Sequence, residues 1–273
     1  MDLILRPSSS EKWIKCPASA QLEQGYPTYF RESGKQGAYA HSIAEWCLKN
    51  NSDVCVHPDY HSIPTEMRVA TQLYIDFVNE FPDNLIEKKV SLKPLGIAWE
   101  GTADCIGFFE KDNYFKTTGI RVIDFKYGKV KVHAENNTQI LIYAYCFLHE
   151  LGFIESERLI FINKDWYQVA KLSLEIFQPR ISKRAPRNLP VNTDWCGYSQ
   201  WVLTVDELLA HIETVKKAIE LTKSDSPTYS PGKHCLFCKA KNDCPAKWRG
   251  AEYGYSPPAP KSDIHFDAVD DIN

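Results

Sequence analysis

The sequence predicts an α/β fold in which a mixed β-sheet is flanked by helices, and three observations predict it. Thr65 to Phe81 places apolar residues three and four apart, the repeat of a helix with a buried face, and Thr138 to Leu151 reads as a further helix dense in apolar residues. The intervening stretch from Leu85 to Asp124 is rich in β-branched and aromatic residues and is broken by Gly96, Gly101, Gly107 and Gly119. That pattern reads as three or four strands joined by tight turns. The order helix, meander, helix, strand, strand suits a sheet with helices on its faces.

The elements follow in order. Ser8 and Glu11 have the spacing of a capping box, which predicts a short helix through Trp13, Ile14 and Cys16 that Pro17 interrupts. Gly37 to Asn50 reads as a second helix whose apolar face is Tyr39, Ala40, Ile43, Ala44, Trp46 and Cys47. The Thr65 helix, the meander and the Thr138 helix come next. Arg158 to Asn163 and Tyr167 to Phe177 are predicted strands. Residues 179 to 203 carry Arg180, Lys183, Arg184 and Arg187 with no acid before Asp194, and read as a basic loop. Thr204 and Glu207 form a second capping-box pair, opening a helix that ends near Ser224. The predicted organisation is a main domain over 1–224, which includes the N-terminal helical segment, a cysteine-rich module over 225–250 and an acidic, proline-containing tail over 251–273.

Composition excludes several classes. The chain has 273 residues, 44% hydrophobic and 25% charged, enough to bury a core and too apolar for wholesale disorder. It has no apolar run near the ~18 residues that span a bilayer, so no membrane partner is expected. The start, MDLILRPSSSEKW, lacks a small-residue cleavage site, and nine cysteines are an odd number for a disulfide framework. A cytoplasmic, reducing environment is expected. The net charge of −3 hides a division: the tail is acidic and the remaining chain is slightly positive.

The chemistry concentrates in the meander, in Gly101-Thr102-Ala103-Asp104 and Val122-Ile123-Asp124-Phe125-Lys126. Asp124 and Lys126 are two apart on a strand, so both side chains leave one face. With Asp104 from a neighbouring strand they offer two carboxylates for a hard cation such as Mg²⁺ or Mn²⁺ and a lysine for water or phosphate. Gln139 and Tyr143 lie one turn apart on the next helix and share a face.

This set resembles the PD-(D/E)XK nuclease superfamily, and within it the RecB-like group with its GxxD strand, (D/E)xK strand and QxxxY helix. Gly37-Ala38-Tyr39-Ala40-His41 is similar to the group's GxxxH sequence. The resemblance implies a restriction-endonuclease-like sheet, His41, Asp104 and Asp124 as metal ligands, and the Phe125 carbonyl as a further one. It also implies Lys126 as the group that orients water or neutralises charge, with Gln139 and Tyr143 in support. Glu45, one turn beyond His41, is a weaker candidate.

Cys235, Cys238 and Cys244, followed by Pro245, place three thiols within ten positions and suit either zinc or an iron–sulfur cluster. His234 is one way to complete a zinc site. The resemblance offers another: an iron–sulfur subgroup, which includes AddB-like and CRISPR-associated nucleases, brackets the nuclease domain with one N-terminal cysteine and three C-terminal ones. It implies a [4Fe–4S] cluster on Cys16, Cys235, Cys238 and Cys244. Cys47, Cys105 and Cys146 are expected in the core.

The expected function is therefore a metal-dependent deoxyribonuclease, an exonuclease of recombination, repair or phage DNA metabolism. Arg180, Lys183, Arg184 and Arg187, the stretch Lys126 to Lys131, and Trp166 and Trp195 are the expected contacts for DNA with free ends or single strands. No Walker sequence is present, so a helicase or recombination partner, if one is needed, is expected as a separate chain. The alternatives are a catalytically silent DNA-binding or assembly module of the same fold and a zinc-stabilised interaction protein.

Overall fold

The structure, a computed structural model, describes residues 3–27, 32–81, 83–181 and 197–246. Two short helices, α1 (Ser10–Lys15) and α2 (Ala18–Leu22), are followed by α3 (Glu32–Lys49) and α4 (Thr65–Asn79). Three strands form the meander: β1 (Asn84–Ser91), β2 (Glu100–Asp112) and β3 (Thr117–Phe125). Helix α5 (Thr138–Glu150), strands β4 (Leu159–Ile162), β5 (Asp165–Phe177) and β6 (Tyr198–Leu203), and helix α6 (Val205–Lys223) complete the order. The sheet runs β1-β2-β3-β5-β4, with β6 also paired to β5; β3 and β5 are parallel and the other pairs antiparallel. Among the described residues no helix is long and apolar enough to cross a membrane.

The predicted elements match these within a few residues, with two differences. The first is the Ser8–Glu11 capping box, which does not form. Pro7–Ser9 is a 3₁₀ turn, α1 starts at Ser10 without a side-chain cap, and Glu11 pairs with Lys15 at 2.6 Å instead. Pro7, with its fixed φ, has already turned the chain helical before the capping position. The second is the basic loop: Tyr198–Leu203 pairs with β5 as a strand, and 182–196 lies outside the described residues. The Thr204–Glu207 box is present in both directions.

Two apolar layers sandwich the sheet. On one face α5 and α6 cover Ile106, Ile120, Val122, Leu172 and Leu174, with Trp13 of α1 in the same cluster. On the other face α3 and α4 cover Cys105, Ile123, Phe125 and Phe177, and the Tyr74 ring stacks on Phe125 at 4.4 Å. Helix α5 buries nine consecutive residues from Ile140 to Leu148, as a helix enclosed on all sides must. Cys47, Cys105 and Cys146 are buried as expected.

One buried ion pair interrupts the α3–α4 face. Arg121 Nε donates to Glu175 Oε1 at 2.7 Å; Glu175 is fully buried and also accepts from Ser173, and the Arg121 guanidinium lies 3.6 Å from the Phe81 ring centroid. Removing either partner alone strands a charge in the core, so Arg121→Met and Glu175→Leu should each cost about 3–5 kcal/mol. The double variant should lie closer to wild type in denaturant midpoint than either single. Additive losses would show that the two groups do not act as a pair.

Candidate active site

The site lies at the C-terminal end of β3, where both helical layers reach the rim of the sheet. Alternation along β3 sends Ile123 and Phe125 toward α3 and α4, and leaves Asp124, with Lys126, on the α5 side. Lys126 Nζ donates to Asp124 Oδ1 and to Gln139 Oε1, each at 3.0 Å. Gln139 is placed there by Asn137, whose side chain caps α5 by accepting from the Gln139 N–H at 3.0 Å. Asp104 is anchored from below, its Oδ2 accepting the Phe125 N–H at 2.7 Å.

The α3 layer contributes His41. Its Nδ1 stands 3.3 Å from Asp104 Oδ1 and 3.9 Å from Glu87 Oε1, and its ring lies 5.2 Å from Phe125. Among the described residues, His41, Glu87 and Asp104 form the one group of three such donors whose ligand atoms lie within 4.8 Å of one another. Glu45 pairs with Lys49 at 2.6 Å, outside the group of three, and its charge adds to those that raise Glu87.

Glu87 is the acid that sequence reasoning missed. Its φ is +48°, a left-handed conformation that is strained for a residue with a Cβ. The β1–β2 ladder pairs Ile86 with Cys105 and Lys88 with Ala103 but skips Glu87 and Asp104 between them. At this interruption both strands change layers. Ile86 and Cys105 pack with α3 and α4, whereas Val90 and Ala103 join the α5–α6 side. The two unpaired positions thus converge on His41. In the sequence Glu87 is merely one acid in Leu-Ile-Glu-Lys-Lys-Val, and its left-handed backbone leaves no trace there.

Electrostatics follow from crowding these groups. Burial disfavours charge on His41, but Asp104 and hydrogen bonds to Asp104 and Glu87 outweigh it and push its pKa up to about 10. Burial pushes Asp124 up to about 6 against the pull of Lys126. Burial opposes the charge of Asp104 too, yet His41 and Lys126 hold its carboxyl below the usual range, and Glu87 is raised, chiefly by burial. The cation of Lys126 is favoured by Asp124 and Asp104 over the burial that opposes it. By themselves these groups set a histidine and a lysine that favour their cations against Asp104, Asp124 and Glu87, with burial opposing the charge of each acid.

Gly101 and Tyr143 explain each other. A Cβ on Gly101 would meet Tyr143 Cε1 at 2.5 Å, so the motif glycine is the space into which the α5 tyrosine fits. Tyr143 is near Thr102 and Gln139, and burial raises its pKa.

Cysteines that are far apart in the sequence meet at one cavity. Cys16, in the break between α1 and α2 that Pro17 creates, lines a cavity of about 270 Å³ together with Cys235, Cys238 and Cys244. His234, also on the lining, has its Nε2 2.8 Å from the Ser230 carbonyl. Protein contacts close the module: Lys12 pairs with Glu23 at 2.5 Å, Glu23 accepts from the Lys239 N–H at 2.7 Å, and Tyr26 donates to Asp243 at 2.7 Å. Burial pushes the Cys238 thiol up to about 11.

Of the expected DNA contacts, Arg180 is engaged: it donates to Glu66 at 2.7 Å and to the Tyr127 carbonyl at 3.2 Å, with its side chain 10% exposed. Trp166 is exposed on the β4–β5 hairpin. Lys183, Arg184, Arg187 and Trp195 lie outside the described residues.

A solved crystal structure, that of SSO0001, is similar over 90% of this chain and 87% of its own length, at 15% identity and a TM-score of 0.35. A family profile described as "Protein of unknown function (DUF2800)" matches residues 3–253, and the chain belongs to that family.

Proposed function

We propose that the protein is a divalent-metal-dependent DNA nuclease of the PD-(D/E)XK, RecB-like kind, an exonuclease acting on ends or single strands. The observation that carries this reading is the convergence of His41, Glu87 and Asp104 within 4.8 Å, beside Asp124 and its 2.8 Å partner Lys126. These residues come from one helix and three strands, and an ion pair serving only stability would not need so many acids in one place.

The donor set fits the metal. Carboxylates suit Mg²⁺ or Mn²⁺, and the imidazole of His41 tips the balance toward Mn²⁺. When bound, such a cation supplies Lewis acidity and a low pKa for water. The chain's own residues do the rest. His41, Glu87, Asp104 and Asp124 hold the cation, and the Phe125 backbone fixes Asp104. Lys126 Nζ, oriented by Gln139, meets the charge that builds on the phosphate. Tyr143, seated against Gly101, keeps α5 in register with β2.

Four thiols from distant parts of the sequence line the cysteine cavity, a set that suits an iron–sulfur cluster, with zinc as the alternative. His234 faces the Ser230 carbonyl through Nε2, which leaves Nδ1 available in the zinc case. A [4Fe–4S] cluster there is structural, because hydrolysis transfers no electron. Any unwinding that the substrate needs would fall to a separate helicase or recombination partner.

The deciding test is digestion of end-labelled single- and double-stranded DNA with Mn²⁺, Mg²⁺ or EDTA. Stepwise shortening from an end that requires the metal, faster with Mn²⁺, is the expected result. Intact DNA under all three conditions would remove the nuclease reading and leave a binding module.

A further inference from the structure

Between Lys126, which directly follows β3, and Asn137, the cap of α5, the chain crosses ten residues, and the first seven of them, 127–133, form a loop without regular structure. Gly128, Lys129, Val130 and Lys131 are exposed, and an exposed loop of this kind is ordinarily mobile. This one is held from beneath. Gln178, 1% exposed at the end of β5, donates from Nε2 to the Gly128 carbonyl and to the Val130 carbonyl, each at 2.7 Å. Its Oε1 accepts the Val132 N–H at 2.9 Å. Three of the four hydrogen bonds this side chain can make thus go to alternate backbone groups of one loop.

The neighbours of Gln178 pin both ends. Arg180 lies over the Tyr127 ring at 4.0 Å and donates to its carbonyl, and Ser199 Oγ accepts the Ala134 N–H at 2.9 Å. A buried amide spent on an exposed loop adds little to the core, whereas it fixes where the loop's two lysines stand. Lys129 reaches Glu66 at 3.5 Å across the same rim. The backbone of Lys126 does not depend on this clamp, since its N–H is bonded to the Phe177 carbonyl at 2.9 Å.

We propose that Gln178 is a positioning residue which holds the 127–133 loop as a rigid, cationic rim, so that Lys129 and Lys131 grip the phosphate backbone of a single strand entering the site. The inference rests on the nuclease reading and names the part of the site that binds rather than cleaves.

The test compares wild type and Gln178→Met, a variant of similar length that fills the same space. The substrate is a labelled single-stranded oligonucleotide with Mn²⁺, and amide exchange of the peptide spanning 127–134 is followed in parallel. Expected are faster exchange at Val132, a KM raised about tenfold with kcat within about twofold, and a salt slope for binding shallower by about 1.4. A change of that size is the share of two phosphates on a single strand. Gln178→Glu, whose carboxylate turns an acceptor toward the Gly128 and Val130 carbonyls in a buried position, should loosen the loop at least as much as Gln178→Met. Faster exchange with KM and salt slope unchanged would overturn the proposal, as would exchange identical to wild type. A wild-type protein that leaves DNA intact would overturn the nuclease reading itself, a result distinct from either.

Discussion

Asp124→Asn should abolish Mn²⁺-dependent cleavage, by about 10³-fold or more, and at the same time raise the thermal midpoint of the metal-free protein. The two effects share a cause. Asp124 is buried and its pKa stands near 6, against about 3.9 for an unfolded chain, so folding favours its neutral form. Below pH ~4 the carboxyl is protonated in both states and the two proteins should be equally stable. As pH rises from 4 through 6, wild type must ionise a group that folding prefers neutral, and the asparagine variant need not. The variant should therefore gain on the order of 2 kcal/mol above pH 6 and nothing at pH 3.5. A melting series from pH 3.5 to 8, beside single-turnover cleavage, checks both halves. A variant that cuts at the wild-type rate, or that melts lower at pH 7.5, would show that Asp124 serves packing instead of chemistry. Lys126→Met should lose cleavage to a similar degree but without the stability gain, because it leaves Asp124 and Gln139 without their partner.

Cys16→Ser should give the other large effect. Anaerobically prepared wild type is expected to be brown, with about four irons and four sulfides per chain, and the variant colourless. A cluster joining Cys16 to Cys235 closes a loop of more than two hundred residues, whose chain entropy is worth about 5 kcal/mol. The observed loss should be smaller, because Lys12–Glu23, Glu23–Lys239 and Tyr26–Asp243 hold the same ends together without any cofactor. The variant should thus melt earlier yet remain folded, with residual cleavage. Stoichiometric zinc in native protein, or full iron and unchanged melting in Cys16→Ser, would refute the assignment.

The fold was legible wherever a period was strong. Helices α4 and α5 and the three meander strands follow from apolar spacing and glycine punctuation, and α6 from its capping box. The site was legible as far as it lies in short motifs: Asp104, Asp124, Lys126, Gln139, Tyr143 and His41 do meet around the end of β3. What stayed hidden was decided by tertiary structure. Glu87 enters through a left-handed residue and an unpaired rung, neither written in local composition. Gln178 looks like any polar residue after a strand. Glu175 carried a faint signal, a charge inside the apolar run Leu-Ser-Leu-Glu-Ile-Phe, which alternation alone does not assign to a buried arginine. Arg180 was expected to face nucleic acid, and the structure shows it committed to Glu66 and Tyr127.

The cavity shared by Cys16 and Cys244 also sets an order of events during biosynthesis. The wall at Cys16 is synthesised 235 − 16 = 219 residues before the wall at Cys235, and at ordinary elongation rates roughly 10–45 s separates them. Through that interval the sheet can assemble but the cavity has no second wall. Whatever fills it is acquired only once residue 244 has left the ribosome, so filling the cavity follows synthesis of the whole sheet, and a ribosome stalled before residue 235 would hold a chain with that wall missing.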